Sequence, residues 1–290
     1  MTGAASLGQG VETVVAQICA DALGVNYRRV RVEHGRTDRI AFGMGAFASR
    51  VTVMTGEATR LAAVEVRAKA IDVAAEMLQQ PADALELIDG VVVRKAAAAG
   101  PSVTLGEVAK ALEPASKLRG ARAPGLSAEG WFYSDHMNYP YGVHIAVVRV
   151  DRETGGVTIE RYMLAYDIGR AVNPMLVQGQ LAGGFAQGIG GALLEEFLYD
   201  ERGEPLSVNF ADYLMPTARE VPAPEVLITE DAPSPLNPLG LKGAGEGGIN
   251  AVGAAIAAAI DDAIGMPGAI TRLPVTPQRL RAILKRADRA

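Results

Sequence analysis

Cysteine is nearly missing from this chain: its 290 residues include one, Cys19, together with three histidines. A single thiol excludes an internal disulfide and any metal or iron–sulfur site built from this chain's own cysteines. Three scattered histidines do not suggest a histidine metal cluster. Aromatic residues make up 5% of the chain and tryptophan occurs once. No apolar run approaches the roughly 20 uncharged residues of a membrane-spanning helix, and the first residues lack the basic-then-apolar pattern of a secretion signal. Positive charge is not in surplus either: the net charge is −5 and the pI is near 5.4. Nothing electrostatic therefore draws the chain to nucleic acid or an anionic membrane. Together these absences predict a cytoplasmic chain with neither as partner, and 49% hydrophobic residues suffice for a sizeable core.

What the chain has is glycine, 33 residues of it, in clusters. The densest is Leu239-Gly240-Leu241-Lys242-Gly243-Ala244-Gly245-Glu246-Gly247-Gly248, followed by an apolar, alanine-rich helical pattern over Ile249–Ile264. Glycine gives up more backbone entropy on folding than other residues, so such a run implies a sharp turn or a close approach. Glu246 stands in it at a helix entrance, among residues without side chains. A carboxylate there is easily desolvated and can serve as a general base near neutral pH. The alternative is that it only complements the positive end of the helix.

Gly8-Gln9-Gly10 opens a helix whose apolar face is Val11, Val14, Val15, Ile18, Cys19, Ala22 and Leu23, ended by Gly24. An amide between glycines at a helix N-terminus either holds a polar or anionic ligand or simply turns the chain. Arg28–His34 alternates as a strand does. In the loop beyond it, Gly43, Gly45, Ser49 and Arg50 combine close backbone approach with hydroxyl and guanidinium donors, without the third glycine of the dinucleotide fingerprint. A helix is predicted over Gly56–Gln79 with Leu61, Val64, Ala68, Ile71, Ala75 and Leu78 on its buried face. A hairpin is expected near 81–93, and 96–125 is expected as a surface connection with a short helix near Leu105–Leu112.

The Trp131–Tyr141 stretch interleaves aromatic and polar groups; Tyr133, His136 and Tyr139 either line a substrate pocket or anchor a lobe boundary. Val143–Val150 and Gly156–Tyr166 read as hairpin strands. A turn at Asp167-Ile168-Gly169 and Asn173-Pro174 then lead into a helix holding Gly179, Gly183, Gly184 and Gly188. Each costs about 1 kcal/mol relative to alanine, so either a cofactor or another backbone lies against them. Gln178, Gln180 and Gln187 add neutral donors and acceptors. Val221–Pro238 reads as a Pro-rich passage, and Gln278–Arg286 as a closing amphipathic helix.

Five of these segments, in this order, resemble one family. They are Gly8-Gln9-Gly10 before a helix, the Gly43/Gly45/Ser49-Arg50 loop, and Asp167-x-Gly169 with Asn173-Pro174, Gly179-Gln180, Gly183 and Gly184. Lys242-Gly243-Ala244-Gly245-Glu246 and Leu273-Pro274-Val275-Thr276-Pro277 complete the set. Together they are similar to the molybdenum-cofactor subunit of the xanthine dehydrogenase/aldehyde oxidase/carbon monoxide dehydrogenase family, over nearly the whole chain.

The resemblance implies an α+β (mixed α/β) fold of two lobes, 1–125 and 126–290, with helices packed on small sheets. It implies that Glu246 is the catalytic base, taking a proton as a hydroxide oxygen attacks an electron-poor substrate carbon. It assigns Gln9, Gly10, Gly45, Ser49, Arg50, Asp167, Asn173, Gln180, Lys242, Gly243 and Gly245 to a molybdenum–pterin cofactor, molybdopterin or its cytosine dinucleotide. The metal would be held through the pterin dithiolene with no protein ligand, where the glycine-rich segments converge. Fe–S clusters and FAD would belong to partner subunits.

The family's molybdenum subunits are usually more than twice this length, and the glycine- and phenylalanine-rich motif of their first half is not found here. The chain is thus similar to the C-terminal half, as a split subunit or a fragment. A complementary N-terminal-half chain would complete it, and alone it would be inactive. The implied substrate is an N-heteroaromatic ring or an aldehyde-type compound. A non-catalytic scaffold or assembly protein that keeps the fold is the alternative, which the retained Glu246 disfavours. A phosphate-binding transferase is disfavoured by the lack of a Gly-Lys-Ser/Thr loop.

Overall fold

The computed structural model describes residues 1–43, 45–95 and 100–287. The chain forms two compact units, Met1–Asn138 with Ser234–Leu241, and Tyr139–Pro233 with Lys242–Ala290. The first unit therefore runs past residue 125 and takes in an eight-residue segment, 234–241, that returns from far along the chain. The architecture is α+β, with helices on two small sheets, as the sequence implies.

In the first unit, helix α1 (Val11–Leu23) ends on Gly24 in the left-handed conformation, φ 86°. Helix α2 (Val51–Leu78) starts five residues before the predicted Gly56 and ends at a left-handed Gln79. Its predicted face holds only in the second half, where Ile71, Ala75 and Leu78 pack against the core. Leu61 and Val64 are exposed, whereas Val53, Gly56, Glu57, Ala63, Ala70, Val73 and Ala74 are buried. The stripe is made of small residues because other backbones come close: a Cβ on Gly130 would lie 2.0 Å from the carbonyl oxygen of Ala58 in α2. One charge is buried in it. Glu57 accepts a hydrogen bond from the Leu239 N–H at 2.6 Å and one from Arg60 Nε at 2.7 Å, and so fastens the 234–241 segment to α2.

The antiparallel strands β1 (Leu85–Ile88) and β2 (Val91–Arg94) form the expected hairpin, and β3 (Val103–Thr104) adds to β2. Helix α3 (Leu105–Ala111) begins with a capping box between Thr104 and Glu107. Val103, Val108, Ala111 and Leu112 join Ala70, Val73, Leu85, Leu87 and Val92 in one core. Residues 103–112 are thus part of the core and not the surface connection expected; residues 96–99 of that connection lie outside the described residues. Arg28–His34 is not the predicted strand. Asn26 accepts from the Arg28 N–H and closes a 3-10 turn over Tyr27–Arg29. An alternating pattern becomes a strand only beside a partner ladder, and among the described residues none pairs with it.

In the second unit, β4 (Tyr141–Val150) and β5 (Val157–Asp167) form an antiparallel hairpin. Strand β6 (Glu225–Thr229) pairs with β5 in parallel, from Met163↔Glu225 to Asp167↔Thr229. It lies inside the passage read only as Pro-rich. Helices α4 (Pro174–Ile189), α5 (Val252–Ile264) and α6 (Pro277–Ala287) complete the unit. Tyr162, Leu164 and Tyr166 of β5 share a core with Leu181, Phe185 and Ile189 of α4 and Val252, Ile256 and Ile260 of α5. On the opposite row of β4, Tyr141, Val143, Ile145 and Val147 are exposed, as is Leu227 of β6. Among the described residues no helix is long and apolar enough to cross a membrane.

Candidate cofactor and catalytic site

In the second unit the loop of Glu246 is pinned at both ends. At its start the Lys242 N–H donates to the Ile168 carbonyl at 3.0 Å, and Lys242 Nζ lies 3.0 Å from Asp167 Oδ1 and 4.7 Å from the Tyr141 ring centre. Asp167 Oδ1 also accepts from the Gly169 N–H at 2.9 Å, and Oδ2 accepts from the Ala232 N–H at 2.9 Å. Burial alone pushes the Asp167 carboxyl up. The Gly169 N–H, Lys242 and the Ala232 N–H outweigh that and hold it down at about 2.

At the other end, the Gly247 carbonyl lies 3.0 Å from Nε2 of His144 on β4. A Cβ on Gly248 would stand 2.1 Å from the Leu181 carbonyl oxygen, and one on Gly184 would stand 2.9 Å from the Gly248 Cα. Backbone here touches backbone, and only glycine fits. Between the pinned ends Gly245 and Glu246 are exposed, on consecutive turns that lead to α5.

The four α4 glycines differ in what faces them. Gly184 packs on Gly248, and a Cβ on Gly188 would meet Val252 at 2.6 Å. Gly179 and Gly183, one turn apart, face nothing within 4 Å. Gln180 lies between them, half-buried, and its amide has no hydrogen-bond partner among the described residues. Asn173 caps the helix by accepting from the Leu176 N–H at 3.1 Å. Gly243 is buried.

Among the first-unit candidates, Gln9 is stitched into its own loop: Oε1 accepts from the Leu7 N–H at 2.6 Å and Nε2 donates to the Ala5 carbonyl at 2.9 Å. Gly10 is the left-handed N-cap of α1, and no side chain caps the helix there. The N-terminal loop lies against the 42–43 loop, where a Cβ on Gly3 would stand 2.7 Å from the Phe42 carbonyl oxygen. Gly45 has φ 73° and open space around it, and Ser49 is left-handed at φ 52°. The Arg50 guanidinium sits 4.3 Å over the Phe47 ring. Tyr133 and His136, and Tyr139 of the second unit, are all exposed; a hydrogen bond to Asp135 pushes the Tyr133 hydroxyl up.

Sequence reasoning missed His144 and Glu57. Each has a signal in hindsight: His144 is the one ionisable residue in the inner row of β4, whose other members Ala146, Val148 and Val150 pack on the core. Glu57 is the one charge buried in the stripe of α2.

Residues 1–222 match the family described as the molybdopterin cofactor-binding domain. The chain belongs to that family. Similarity of this member of the molybdopterin cofactor-binding domain family to individual relatives runs further, past Glu246. It is 45% identical, over 96% of its own length, to the gamma subunit of the 6-hydroxypseudooxynicotine dehydrogenase complex of Paenarthrobacter nicotinovorans, of which it covers 35%. It is 35% identical, again over 96% of its length, to the nicotine 6-hydroxylase large subunit of the same organism, covering 34% of it. Among solved structures, the Cu,Mo-CO dehydrogenase superposes with a TM-score of 0.88 at 33% identity, over 99% of this chain and 36% of the other. Quinoline 2-oxidoreductase of Pseudomonas putida 86 gives 0.86 at 34% identity, over 97% and 36%. The chain thus spans about a third of the length of the relatives it matches.

Proposed function

We propose that this chain is the C-terminal part of the molybdenum-cofactor subunit of a hydroxylase or dehydrogenase complex, and that Glu246 is its catalytic base. The observation that carries the proposal is the Glu246 loop: an exposed carboxylate on a backbone pinned at Lys242 and at Gly247. Exposed carboxylates are common, but one set in glycines whose backbone is immobilised is suited to a reactant that must come close.

The residues present suit a molybdenum–pterin cofactor. Gly179 and Gly183 leave a bare ledge on α4, and between them the Gln180 amide has no hydrogen-bond partner among the described residues; at the α1 N-terminus the cap, Gly10, has no side chain, and the Glu12 carboxylate takes one N–H of the first turn. Such donors suit a polar ring system and an anionic phosphate. When bound, the cofactor supplies two-electron oxidation of the substrate. Glu246 accepts the proton of the attacking, water-derived oxygen. Cover from the complementary polypeptide would exclude water there. Gln9, Gly45, Ser49, Arg50, Asn173, Gly243 and Gly245 are assigned to the cofactor side. Asp167 and Lys242, whose polar groups engage one another, hold the loop in place.

The named substrates of the nicotine and quinoline relatives favour an N-heteroaromatic substrate over an aldehyde. Tyr133, His136 and Tyr139 are candidates for its contact. Electrons would leave through Fe–S and FAD subunits of a cytoplasmic complex, with the cofactor as molybdopterin or its cytosine dinucleotide.

The test is Glu246→Gln in the protein purified from its host with molybdenum bound. Turnover should fall by about 10²–10⁴, the usual contribution of a general base, at unchanged molybdenum per chain. Undiminished turnover would reject the base. A chain that purifies alone and metal-free from a host holding the partner genes would favour a scaffold.

A further inference from the structure

We infer that His144 is a positioning residue: by holding the Gly247 carbonyl against the Tyr162–Tyr166 pair, it fixes where the neighbouring Glu246 carboxylate points. The catalytic consequence rests on the proposal that Glu246 is the base; the clamp itself rests on geometry alone.

His144 Nδ1 lies 2.9 Å from the Tyr162 hydroxyl, and Nε2 lies 3.0 Å from both the Tyr166 hydroxyl and the Gly247 carbonyl. A carbonyl only accepts, so Nε2 carries the proton and donates to Gly247. Nδ1 is then the acceptor for the Tyr162 O–H, and both nitrogens are used by a neutral ring. Burial favours the same state by lowering the imidazole's affinity for a second proton, although the Gly247 carbonyl acts in the opposite sense.

The partners cannot drift. Tyr162 and Tyr166 are buried in the core of the second unit and stand edge-on to the imidazole at 5.7 and 5.6 Å. Gly142, two residues before His144, leaves the room that the Tyr166 ring fills, since a Cβ there would lie 2.3 Å from it. On the loop side, Gly245, Gly247 and Gly248 around Glu246 supply no side chain that could restrain the backbone. A glycine loop left to itself samples many conformations, yet displacing a reacting group by about 1 Å can cost 10²-fold in rate. Lys242 restrains one end; at the end next to the carboxylate, His144 holds the Gly247 carbonyl where Gly248 packs on Leu181 and Gly184.

The test compares His144→Phe, which removes the donor, with His144→Gln, whose amide nitrogen can donate from nearly the position of Nε2. Both are made in the molybdenum-loaded protein from its host, with Tyr162→Phe as a third variant that keeps the core ring and removes only the hydroxyl. In His144→Phe, amide hydrogen exchange over 245–250 should quicken at least about 10-fold and kcat should fall about 10–100-fold. KM should stay within about twofold and molybdenum per chain should not change. His144→Gln should restore most of both, and Tyr162→Phe should quicken exchange in the same segment to a smaller degree.

Unchanged exchange over 245–250 in His144→Phe overturns the inference; if that variant does not fold, unchanged exchange in Tyr162→Phe does so. A loss of turnover that tracks lost molybdenum also overturns it, because His144 would then serve cofactor retention. Hydrogen exchange reads the clamp without turnover, so failure of the Glu246 proposal, seen as full activity in Glu246→Gln, is told apart from failure of the clamp.

Discussion

Asp167 and Lys242, 75 residues apart in sequence, meet as a buried ion pair with Nζ 3.0 Å from Oδ1. The pair ties the end of β5 to the first residue of the Glu246 loop. Lys242 is only 6% exposed, so Asp167→Asn would leave its charge buried without a counterion. Breaking such a pair from one side costs about 3–5 kcal/mol. Chemical denaturation of the variant should show a loss of that size, and a loss under about 1 kcal/mol would mean that the pair is solvated.

The same carboxyl sets an acid limit. Its folded value, about 2, lies below the ordinary 3.8, so the stabilisation is fully present above pH 4 or so and is lost as pH falls from there toward 2. The linked free energy is on the order of 2 kcal/mol. Stability measured against pH should fall in that window, and Asp167→Asn should flatten that part of the curve.

Two glycine substitutions should act in opposite directions. Gly183 is helical with open space where a Cβ would go, so Gly183→Ala should stabilise the chain by roughly 0.5–1 kcal/mol while lowering molybdenum per chain, because the new methyl stands on the proposed cofactor ledge. In Gly248→Ala the methyl would meet the Leu181 carbonyl oxygen at 2.1 Å, and overpacking should destabilise by roughly 1–3 kcal/mol. Melting curves and metal analysis of the two proteins decide. Gly183→Ala with full molybdenum content would remove the ledge from the cofactor site.

Glu57 should prove the most sensitive charge in the first unit. Glu57→Ala leaves the Leu239 N–H without its acceptor and Arg60 without its partner, a loss of about 3 kcal/mol or more. Glu57→Gln retains an acceptor for Leu239 and should lose clearly less. Equal losses in the two variants would assign the effect to the Arg60 charge alone.

The sequence announced the elements whose signals are local. Val11–Leu23 with its glycine stop, the 85–94 hairpin and the β4–β5 hairpin all lie where periodicity and turn residues put them. Elements defined by distant partners were hidden. Strand β6 follows Pro222 and Pro224 and alternates only between exposed and half-buried, since its pairing partner β5 lies some 60 residues earlier. Arg28–His34 shows the converse, an alternation with no ladder to join. For the candidate site, the glycine cluster drew attention to Glu246, yet nothing along the chain shows that Lys242 pairs with Asp167 or that His144 reaches the Gly247 carbonyl. Both depend on which residues face each other across the fold, and spacing along the chain does not record that.

The exposed row of β4 bears on how this protein must be made. Strand β4 is ten residues long and lies at the edge of its sheet, with Tyr141, Val143, Ile145 and Val147 turned to solvent. A long, apolar edge of this kind recruits other strands, including those of its own copies. Overproduced by itself, the polypeptide should accumulate in inclusion bodies even if each molecule folds correctly. Yield of soluble material is then limited by how long each folded copy leaves that row uncovered.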